Sequence, residues 1–96
     1  MKLPKGYKKY DTAEYLKTEK QIAAYLDACF KEAEGDGVLI AKALGNVARA
    51  RGMTKISKAS GLTRASLYKA LSGDRNPSLD TVLKIIHALG LRLRVA

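Results

Sequence analysis

One cysteine, one histidine, one phenylalanine and no tryptophan in 96 residues remove several function classes at once. Cys29 has no partner for an internal disulfide, so the chain is no stapled secreted scaffold and suits a reducing compartment. His87 falls short of the three or four ligands a zinc site needs and reads as a structural residue. No positioned base accompanies Cys29, which reads as a small core side chain rather than a nucleophile. Asp74 and Asp80 flank a turn and do not make a carboxylate pair. A glycine-rich phosphate loop is missing too. The expectation is a protein that is no enzyme, with no catalytic residue, no metal and no cofactor.

Long apolar runs are also missing. Runs such as Val38-Leu39-Ile40-Ala41 are far short of the roughly 20 residues that span a bilayer. The basic start Met1-Lys2-Leu3-Pro4-Lys5 leads into no apolar signal region. No helix sets a broad lysine face against exposed Trp or Phe, so a membrane partner is not expected either. These absences point to a cytoplasmic protein.

Acidic residues are scarce in one half only. Residues 49–96 carry ten Lys+Arg against Asp74 and Asp80, a net of +8, whereas residues 1–48 carry eight lysines and seven acids, a net of +1. The whole chain stands at +9. The second half is a polycation, and its natural partners are polyanions such as nucleic acid. At 47% apolar residues the chain is in the globular range, and its length makes one domain with a modest core.

Residues 1–10 show no periodicity and read as a flexible basic arm. Asp11-Thr12-Ala13-Glu14 has the form of a capping box that starts a short helix to Lys17. Thr18-Glu19-Lys20-Gln21 repeats the device and opens a helix to about Ala33, with Ile22, Leu26, Cys29, Phe30 and Ala33 on one stripe. Asp36 can cap a third helix, about 38–51, in which Gly45 implies a close helix–helix approach. Three more follow at about 54–60, 64–71 and 79–89, the last capped by Ser78 with Leu79, Val82, Leu83, Ile86 and Leu89 inward. Leu91-Arg92-Leu93-Arg94-Val95 alternates with period two and predicts a strand. Nothing else in the chain alternates, so its backbone groups need a partner molecule.

Two short helices joined across Gly61-Leu62-Thr63 have the helix-turn-helix pattern. Gly61 permits the turn, Leu62 anchors inward, Ile56 and Ser57 sit where the helices cross, and Thr63 caps the second helix. Leu67 and Ala70 face in; Arg64, Ala65, Ser66, Tyr68 and Lys69 face out. Arginine and lysine bond guanine edges, serine donates or accepts, and an alanine methyl touches a thymine methyl, so Arg64, Ala65, Ser66 and Lys69 are the candidate base contacts. Thr54, Lys55, Thr63, Arg75 and Asn76 are the candidate phosphate contacts. Tyr68 belongs with them or packs structurally. Operators of such proteins are pseudo-palindromic, which predicts a homodimer, with Leu91, Leu93 and Val95 as the inward face of a dimer strand.

Residues 38–90, above all GLTRASLYKALSGDRNPSLDTVLKIIHALG, resemble the lambda-repressor-like five-helix DNA-binding domain. Ser57 departs from the alanine usual there. The whole chain is similar to addiction-module antidote proteins through Asp11–Leu16, Ile22–Leu26, Ala43–Met53 and Leu89–Leu93. The fold implied is all-α: a five-helix lambda-repressor-like helix-turn-helix domain over 37–96, two N-terminal helices over 11–36, and a short C-terminal β-strand. The resemblance implies an antitoxin that binds double-stranded operator DNA and neutralises a RelE-like ribonuclease toxin. Residues 11–36 hold seven acids and three lysines, a net of −4, and a basic toxin would be steered to them. Asp11, Glu14, Glu19, Asp27 and Glu32 are therefore the candidate toxin contacts. The rival readings are a small phage-type repressor without a toxin and a pure protein-interaction module.

Overall fold

The computed structural model describes residues 16–95. Five helices follow one another: α1 (Glu19–Ala33), α2 (Gly37–Arg51), α3 (Met53–Ser60), α4 (Arg64–Ala70) and α5 (Leu79–Ala88). Each start but one is set by a side-chain cap. Thr18 Oγ1 accepts the Gln21 amide at 3.1 Å while Gln21 Oε1 accepts the Thr18 amide at 3.0 Å, a complete capping box. Asp36, Thr63 and Ser78 cap α2, α4 and α5. α3 follows α2 across Gly52 alone, without a side-chain cap.

α1 packs on α2, and α3 packs on α2, α4 and α5. One hydrophobic cluster joins Leu16, Ile22, Tyr25, Leu26 and Cys29 to Leu44, Val47, Ile56, Leu67, Leu71, Ile85 and Leu89. α1 thus shares its core with the helices beyond residue 37. Burial of these side chains is the main drive to fold, at about 1.5–3 kcal/mol for each large one.

Several sequence expectations need correction. From residue 37 onward there are four helices among the described residues, and α1 makes the fifth. The short helix expected over 11–17 falls mostly outside the described residues; Leu16 and Lys17 are not helical, and Leu16 is a core side chain. The C-terminal strand is absent among the described residues. Leu91 is half-buried, but Leu93 is 47% exposed and Val95 fully exposed, so the alternation buries no face within the chain. A strand is closed by ladder hydrogen bonds, and no other described segment supplies them. Leu79, expected inward, is 66% exposed because it opens α5 beyond the reach of the core.

Candidate nucleic-acid interface

α3 and α4 meet through the three residues Gly61, Leu62 and Thr63. Gly61 adopts φ +78°, ψ 4°, the left-handed region that glycine enters without steric cost, and its amide closes α3 on the Ser57 carbonyl. Ser57 then does what an alanine there cannot: its Oγ donates to the Leu62 carbonyl at 2.5 Å, tying the helix to the turn. Leu62 packs against the core, which seats the start of α4.

Thr63 Oγ1 accepts the Ser66 amide at 3.0 Å and donates to Ser66 Oγ at 2.9 Å. Leu67 is fully buried, and Ala70 is half-buried beside it. That inward anchor leaves Arg64, Ala65, Ser66, Tyr68 and Lys69 exposed on the other side of a two-turn helix. Arg64 Nη2 donates to Tyr68 Oη at 3.4 Å, and its guanidinium carbon is 5.8 Å from the ring centroid.

The turn after α4 brings one more cation, Arg75, to the same edge. Ser66, Lys69, Arg75, Asn76, Ser78 and Thr81 line a cleft of about 340 Å³ that includes no carboxylate. Ser78 and Thr81 were not among the sequence-derived contacts: Ser78 reads as a helix cap, and no local pattern singles out Thr81. Asn76 is turned partly away: a Cβ on Gly37 would lie 2.7 Å from its Oδ1, so the amide rests on the start of α2. Thr54 and Lys55 are exposed on the first turn of α3 and do not line this cleft.

The remaining candidates sit elsewhere. Glu19, Asp27 and Glu32 are exposed on α1, with Asp27 paired to Lys31 at 3.1 Å, while Asp11 and Glu14 lie outside the described residues. Leu91 and Leu93 help line a groove of about 200 Å³ with Ala23, Leu26 and Phe30 of α1, rimmed by Asp27, Arg92 and Arg94. Cys29 is buried, and desolvation, with a smaller push from Glu32, raises its thiol above the ordinary value against the lowering contact from Tyr25. No helix among the described residues is long and apolar enough to cross a membrane.

Residues 6–96 match the family described as probable addiction module antidote protein. An uncharacterised protein of Haemophilus influenzae strain Rd is 45% identical over 89 residues, which are 92% of this chain and 89% of that one. No solved structure matches the chain. A match that runs from residue 6 to the last residue, together with a relative aligned nearly end to end, establishes that the chain belongs to the addiction module antidote family.

Proposed function

We propose that this antidote binds and neutralises a RelE-like ribonuclease toxin, and that it represses its own operon by binding operator DNA as a homodimer. The observation that carries the DNA half is the division of α4: Leu67 is locked into the core, while Arg64 and Lys69 stand exposed on a basic edge. In this reading α3 and α4 form a helix-turn-helix of the lambda-repressor type. Arg64, Ala65, Ser66 and Lys69 meet base edges, and Thr54, Lys55, Thr63, Arg75 and Asn76 meet phosphates. Ser66 Oγ accepts from Thr63 and keeps its own O–H to donate to a base edge. The toxin half follows from the family, whose members are described as antidotes, and α1 offers Glu19, Asp27 and Glu32 to a basic partner.

Two measurements test it. The protein should retard the DNA upstream of its own gene, with an affinity that falls steeply between about 50 and 200 mM salt. It should also co-purify with the product of the adjacent reading frame. DNA retardation without a toxin favours the phage-type repressor, and a toxin complex without retardation removes the repressor half. Within the DNA reading, Arg64→Ala should weaken the operator complex by about 1–3 kcal/mol and leave nonspecific binding nearly unchanged. Equal losses on operator and random DNA would demote Arg64 to a phosphate contact.

A further inference from the structure

We propose that Tyr68 is the positioning residue for Arg64, so that the two side chains act as one base-reading unit; the proposal rests on the DNA-binding reading of α4. They are four residues apart on the same face of the helix, the spacing at which side chains touch. The guanidinium lies 5.8 Å from the Tyr68 ring centroid, and Nη2 donates to Tyr68 Oη at 3.4 Å. Both residues are exposed, and among the described residues no carboxylate pairs with Arg64.

An unrestrained arginine loses much rotamer freedom when it binds a base edge, and that loss weakens the complex. The cation–π contact and hydroxyl bond to Tyr68 take part of the loss in the free protein. One N–H is spent on the tyrosine hydroxyl. A guanidinium carries five N–H donors in a fixed fork, which leaves enough for a bidentate bond to guanine O6 and N7. The base of the unit is held as well, because the Thr63–Ser66 bonds fix the first turn from which Arg64 projects. Tyr68 needs no base contact of its own to affect specificity. Its effect passes through Arg64.

The test uses the full chain and a duplex that the wild-type protein selects from a randomised library. Dissociation constants are measured on that duplex and on a scrambled one for the wild type, Tyr68→Ala, Tyr68→Phe, Arg64→Ala and the Arg64→Ala/Tyr68→Ala double variant. Circular dichroism confirms that each folds. Tyr68→Ala should lower affinity for the selected duplex roughly two- to five-fold, the size of an exposed cation–π contact, and leave the scrambled duplex unchanged. In the Arg64→Ala background the same change should do almost nothing, and Tyr68→Phe should stay nearer wild type than Tyr68→Ala. Losses that multiply independently, or that are equal on both duplexes, overturn the proposal and make Tyr68 a separate phosphate contact. A Phe variant as weak as the Ala variant overturns it too. If the library yields no preferred duplex, the DNA reading itself has failed, and the proposal falls with it.

Discussion

Gly45 sits in the middle of α2, where alanine is ordinarily better by about 1 kcal/mol. Here a Cβ would lie 3.1 Å from the Leu71 carbonyl oxygen and 3.3 Å from an Arg49 guanidinium nitrogen. Arg49 can move, but the Leu71 carbonyl belongs to the backbone that ends α4. Overpacking of this kind costs about 1–3 kcal/mol, which outweighs the propensity gain. Gly45→Ala is therefore expected to lower stability by about 1 kcal/mol in urea unfolding, and a stabilised variant would show that the α4 end yields freely. Cys29 gives a second residue-scale prediction. Desolvation holds its thiol protonated above the ordinary value, and its burial blocks reagents, so it should react with a thiol probe at neutral pH only on unfolding. Prompt labelling of the native protein would contradict the packing of α1. Both glycine and cysteine were legible as packing residues from their helical positions. The bond from Ser57 to the Leu62 carbonyl was not, because it depends on how the turn brings the carbonyl back.

Elements with caps were the most legible. Thr18, Asp36, Thr63 and Ser78 each cap the helix expected of them, because an oxygen that accepts a free amide is a local, sequence-adjacent interaction. The terminal alternation was misleading for the opposite reason. Period two states which faces residues 91–95 would show, but a strand exists only when a neighbour supplies hydrogen bonds. Leu91 itself is tied back, with its amide on the Ile86 carbonyl at 3.1 Å. The proposed dimer contact thus rests on Leu93, which lines the groove along α1, and on Val95, which is fully exposed. Deleting residues 92–96 keeps Leu91 on the core and should move the proposed dimer towards monomer in sedimentation, with weaker operator binding. A dimer that survives the deletion removes the tail from the interface.

Across the whole molecule, charge and core follow different boundaries. Charge divides the chain into a nearly balanced first half and a strongly cationic second half. The core does not: Ile22, Tyr25, Leu26 and Cys29 of α1 share one cluster with side chains from all four later helices. A chain beginning at Val38 would lose those four side chains and should not fold, so truncation is a poor probe of the acidic region. Surface charge reversal is the better one. Asp27→Lys with Glu32→Lys changes exposed groups only, and should slow association with the toxin and flatten its salt dependence while leaving operator affinity intact. Unchanged toxin kinetics would show that α1 is an ordinary solvated face.

The helix order, the four side-chain caps, the turn at Gly61 and the exposed cations of α4 were determined by the sequence itself. Each rests on period, on a polar oxygen beside free amides, or on a glycine at a left-handed turn, all within a few residues of chain. The tertiary structure alone decided that α1 belongs to the same core, that Leu79 and Val95 face solvent, and that Asn76 rests on Gly37. It alone set Lys69, Arg75, Ser78 and Thr81 around one cleft. Those outcomes depend on where separate helices meet, and that is fixed by packing volume and crossing geometry, which no local pattern encodes.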